Sequence, residues 1–128
     1  MTETEERFLK VFNREIEAIN FDTKWEADEM AIIGERLPAV HAKVHSAKTA
    51  ADLRIMTPEW NRWTQRFDRL KAHIAKSERR LQRLRARVDA LRTELPQNTI
   101  DTLREAVSAM LDGSHRLQAS LNGQEPPK

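Results

Sequence analysis

Residues 60 to 95, WNRWTQRFDRLKAHIAKSERRLQRLRARVDALRTEL, carry apolar side chains at steps that alternate between three and four. Trp60, Phe67, Ile74, Leu81, Val88 and Leu95 fall at one heptad position; Trp63, Leu70, Leu84 and Leu91 fall at the other, with Ser77 the single polar exception. A period of 3.5 marks a coiled-coil seam, narrower than the broad face of an ordinary surface helix. A chain with five such heptads must supply the seam with a partner helix, from itself or from another molecule.

The rest of the chain can supply it. Alanine, leucine and long charged side chains dominate, aromatics make up 5%, and there are three glycines and no tyrosine. That is the usage of long helices and leaves β-structure little to build on. Leu9, Phe12, Ile16, Ile19, Met30, Ile33, Leu37, Val40 and Val44 hold one heptad frame in the first half, interrupted by the polar pair Thr23 and Glu26. Ile100, Leu103, Val107, Met110, Leu117 and Leu121 keep the same spacing near the end, with Ser114 in the gap. The expected fold is all-α: an elongated antiparallel three-helix, or broken four-helix, coiled-coil-like bundle.

Punctuation residues set the expected boundaries. Thr57 before Pro58 reads as an N-cap followed by proline at the first helical position. Thr23 with Glu26 reads as a capping box after a break, and Gly34 with Pro38 as a kink. Helices are expected over about 3–20, 23–52 with a kink near Pro38, 58–95, and 99–121 capped by Asn98 or Thr99. Asp112 and Gly113 are candidates for a bend in the last. Residues 1–122 then form a single bundle domain, and 123–128 a flexible tail.

Charge decides which helices face each other. The net charge of +2 hides a division: residues 1 to 35 carry ten acids and four bases, whereas residues 58 to 95 carry eleven bases and five acids. In a parallel homodimer Arg66 would face Lys71 and Arg80 would face Arg85, which argues against self-pairing of the long helix. A fold-back at "RIMTP" lays the acidic helix along the basic one, with Glu29 meeting Arg80 and Asp22 meeting Arg87. A break near Asn20 to Thr23 would also let the leading segment swing out to a second copy, giving a homodimer.

The long helix carries a basic row beside its seam: Arg62, Arg66, Arg69 and His73, then Lys76, Arg80, Arg83 and Arg87. Such a row suits an acidic protein surface or the phosphates of a nucleic acid. No zinc-finger or helix-turn-helix pattern and no interleaved aromatic accompanies it, so a protein partner leads and nucleic acid is the alternative. Trp60 and Trp63 open the same helix and join the candidate partner-binding residues, because tryptophan anchors interfaces. His41 and His45, four apart, are a weak candidate metal pair that lacks a third ligand on the same helix.

Cysteine is absent, and so are a nucleophile motif and a Gly-rich phosphate loop. An enzyme or a cofactor is therefore not expected. No apolar run approaches the ~20 residues of a membrane span. A cytoplasmic interaction module (an adaptor, a chaperone-like protein or an assembly factor) is the resulting expectation.

Overall fold

A computed structural model describes residues 2–125, and among these the chain forms three helices and no strand. The helices are α1 (Glu3–His45), α2 (Ala50–Ala90) and α3 (Gln97–Gly123), each packed on its sequence neighbour in an antiparallel bundle. No helix among the described residues is long and apolar enough to cross a membrane.

The reversal between α1 and α2 lies at Ser46 to Thr49, about two turns before the expected "RIMTP". Thr49 is the cap, its Oγ1 accepting the Asp52 N–H at 3.0 Å, and Asp52 places a negative charge on the positive end of the helix dipole. Thr57, expected as the cap, instead donates its hydroxyl to the Leu53 carbonyl within α2. Pro58 therefore sits in the helix interior, where it removes one backbone hydrogen bond.

The expected break in α1 at 20–23 is likewise absent. Thr23 does not cap a new helix; its hydroxyl donates to the Ile19 carbonyl one turn back, so the chain runs on through 20–23. The hinge on which a swapped homodimer would depend is not formed. Helix α1 also continues through Gly34 and Pro38, both flanked by the buried side chains of Ile33 and Leu37. Burial on either side holds these weak helix formers in register.

At the other end α2 stops at Ala90, short of the expected Leu95. Residues 91–95 turn, Leu95 tucks into the core, and Pro96 precedes α3 without a side-chain cap. The Asn98 side chain accepts from the adjacent Thr99 N–H rather than capping the helix. Asp112 and Gly113 do not break α3, which reaches Gly123. Within the expected tail, Gln124 lies against Gly34 and Glu125 pairs with Lys71 at 3.4 Å, while 126–128 lie outside the described residues.

The apolar interior is divided in two. One cluster unites Phe8, Phe12 and Ile19 with Leu81, Leu84 and Val88 and with Ile100 to Leu111 of α3. The other unites Met30, Ile33, Leu37 and Val40 with Trp63, Phe67, Leu70 and Ile74 and with Leu121. Between them lie Glu26, Ser77 and Ser114, all buried, one polar side chain from each helix. Ser77 Oγ donates to Glu26 Oε2 at 2.6 Å, and His73 Nδ1 approaches the same oxygen at 2.8 Å.

Candidate functional site

The heptad pattern fixes which α1 side chains face α2. Glu15, Asp22 and Glu29, seven residues apart, point across at the row Arg66, His73 and Arg80. Arg80 bridges Glu15 at 3.2 Å and Asp22 at 2.7 Å, and Arg66 pairs with Glu29. The expected partnering of acidic α1 with basic α2 is thus realised in a different register. Glu29 meets Arg66 rather than Arg80, two heptads nearer the turn, and Asp22 meets Arg80 rather than Arg87. The earlier reversal of the chain accounts for the shift.

These bridges consume two arginines of the basic row. Arg62, Arg69, Lys76, Arg83 and Arg87 form no ion pair among the described residues and are exposed. Lys76, Arg83 and Arg87 surround a cleft of about 590 Å³ whose floor is Leu84, Arg80 and Glu15. Arg62, Arg66 and Arg69 border a second cleft of about 400 Å³, and Trp25 and Glu29 of α1 close its far side.

The two tryptophans expected to bind a partner are placed differently. Trp63 belongs to the core, its ring covered by the guanidinium groups of Arg66 at 4.5 Å and Arg62 at 5.9 Å. Trp60 is half-buried beneath His41, with ring centroids 5.5 Å apart. The exposed tryptophan is Trp25, 43% accessible, which lies on His73 at 4.8 Å and so stands beside the basic row. Phe21, one turn earlier, is 76% accessible. The sequence pattern could have found Trp25: it belongs to a run of apolar residues at intervals of seven, Val11, Ala18, Trp25, Ile32 and Ala39, each one place before a seam residue of α1.

His41 and His45 contact each other edge to face at 4.2 Å. The other two histidines lie elsewhere: His73 is on Glu26 and His115 on Glu78. No group of three potential metal ligands comes together among the described residues.

On the opposite side of α2, Glu78 ties α3 in place. Gln118 Nε2 donates to one carboxylate oxygen at 2.8 Å and His115 Nε2 meets the other at 2.7 Å. The hydrogen bond from Gln118, then that with His115, holds the Glu78 carboxyl below its ordinary value near 4.5.

Compared with known proteins, the chain matches no family model, no curated protein and no solved structure. What it does must therefore be argued from this face.

Proposed function

We propose that the protein is a non-enzymatic helical interaction module, an adaptor or assembly factor, whose α1/α2 face recognises an acidic protein partner. The observation that carries this reading is the split of the basic row. Within the fold Arg66 and Arg80 are neutralised, while Lys76, Arg83 and Arg87 remain exposed and unpaired around one cleft. Five like charges held on one side of a rigid helix repel one another, and an anionic partner relieves that repulsion and steers its own approach.

A nucleic acid is the second reading, favoured by one observation: the exposed ring of Trp25 on α1 borders the cleft lined by Arg62, Arg66 and Arg69 of α2. Basic side chains beside stacking platforms suit single strands.

Capture from a nuclease-treated lysate by the immobilised protein, compared with a Lys76→Glu, Arg83→Glu, Arg87→Glu variant, tests the proposal. An acidic protein held by the wild type and released by the variant is the expected result. Equal capture by the variant, or material that disappears on nuclease treatment, overturns it.

A further inference from the structure

The unpaired charges are only one wall of a longer feature. On α2, Arg62, Arg69, Lys76 and Arg83 recur every seven residues, just outside the row that bridges to α1. On α1, Val11, Ala18, Trp25, Ile32 and Ala39 also recur every seven, just outside the acidic row Glu15, Asp22 and Glu29. All five are exposed, with Val11 and Ile32 each 44% accessible. A strict seven-residue interval stays in line along a supercoiled helix pair, so each row runs parallel to the seam without drifting round its helix. The bridges Glu29 to Arg66 and Asp22 to Arg80 form the floor between the two walls. Trp25 on His73, and the cleft shared by Trp25, Arg62 and Arg69, show that both walls border one groove.

Apart from the contact of Trp25 with His73, the apolar wall stays outside both core clusters. The buried row one place further on, Phe12, Ile19, Ile33 and Val40, already supplies the core, and α3 lies against the other side of α2, through Glu78 and Lys71. An exposed apolar strip of this length, edged by charge, marks a contact surface.

We propose that this groove takes a single acidic amphipathic helix of a partner protein, laid along α1 and α2 as a fourth helix of the bundle. The inference rests on the acidic-partner reading and adds to it the form of the partner. Three features favour a helix over other anionic chains. The walls repeat every ~10.5 Å along the axis, the interval at which an α-helix with a heptad pattern repeats itself. One wall is apolar and the other basic, matching a helix with an apolar stripe and acids at one flanking heptad position. Phosphates lying in the groove would meet the carboxylates of Glu15, Asp22 and Glu29 in its floor, whereas a helix sets its apolar stripe against Trp25 and Ile32 and keeps its acids opposite Arg69, Lys76 and Arg83. The basic wall from Arg62 to Arg83 spans ~32 Å, so about three heptads of partner are engaged.

The test uses the full chain and four labelled probes: a three-heptad peptide with Leu and Ala on its stripe and Glu at one flanking position of each heptad, a scrambled peptide of the same composition, poly-glutamate, and oligo-dT. The heptad peptide is expected to bind, to gain helical circular dichroism on binding, and to weaken by about tenfold with either Ile32→Asp or the pair Lys76→Glu, Arg83→Glu. Both sets of variants lie at exposed positions, and their unchanged melting confirms that they fold. Equal binding of the scrambled peptide or poly-glutamate overturns the helix groove while leaving the acidic-partner reading standing. Indifference to Ile32→Asp does the same, because it removes the apolar wall from the contact. Displacement of the heptad peptide by oligo-dT at equal concentration overturns both.

Discussion

The hydroxyl of Ser77 donates to the carboxylate of Glu26 across 2.6 Å, and Glu26 is wholly shielded from solvent. The contact joins α1 to α2 in the one layer where the interior is not apolar. It also distinguishes one alignment of the helices from the others. A slip by a heptad preserves every apolar contact type of the seam but would press the carboxylate against Leu70 or Leu84. A single buried polar contact of this kind is the best-attested way to fix register in a coiled coil.

Removing one partner should therefore cost more than removing both. Ser77→Ala leaves the buried carboxylate oxygen with His73 as its remaining partner and should destabilise by ~1 kcal/mol. Glu26→Leu with Ser77→Ala replaces the pair by apolar groups and should recover most of that loss. Urea denaturation of the single and double variants measures it, and additive losses would show that the two residues do not act together.

The caps distinguish the observed start of α2 from the one its sequence suggests. Thr49→Ala should cost ~1 kcal/mol, while Thr57→Ala, within the helix, should be neutral or slightly stabilising because alanine is the better helix former. The reverse order in thermal melts would place the helix start at Pro58.

Gly34 lies close to the end of α3: a Cβ there would come 2.8 Å from Gln124 Nε2. The obstacle is the tip of a flexible side chain, which can swing aside. Gly34→Ala should therefore gain ~0.5–1 kcal/mol in helix propensity, less a small loss at Gln124. A drop in melting temperature would show that the Gln124 contact holds α3 more firmly than its position suggests.

Acid should loosen α3 through Glu78. Its carboxyl is held below the ordinary value by Gln118 and His115, so the folded state binds this proton less readily than the unfolded chain. The contribution is complete above about pH 4.5 and declines as pH falls through the lowered folded value. Glu78→Gln should flatten the stability profile in that acidic window and leave it unchanged in shape near neutrality, as urea midpoints across pH will reveal.

The seam of α2 and the absence of strand-forming composition were legible before any coordinates, and with them the class of fold. Register was not, for a physical reason. Translating one heptad helix along another by seven residues keeps leucine opposite leucine, so Leu70, Leu81 and Leu84 cannot report the alignment. Local cues misled at the turn: Thr57–Pro58 is chemically a good helix start, yet the chain reverses two turns earlier, Thr49 caps α2, and the helix runs on through Pro58. Glu26 and Ser77 were legible as polar interruptions of their stripes, but with Glu29 set opposite Arg80 they do not meet, and their pairing belongs to the observed register. For the candidate face, the basic row could be read directly. Trp25 and its apolar row could not be assigned to the same groove until the chain's reversal had been located.

Helix α3 ends beside Gly34, yet α1 continues to His45 and α2 begins at Ala50, so among the described residues the last turns of the hairpin stand as a pair. Trp60 there is half-buried at the edge of the core, with His41 over its ring. Two helices enclose far less than three, so the backbone amides of this end are released to solvent by local opening at a free energy below that of global unfolding. The molecule thus has a graded cohesion along its axis. Hydrogen exchange should begin at the hairpin tip, advance as far as the Phe67 and Leu70 level, and meet its principal resistance where all three helices share the load.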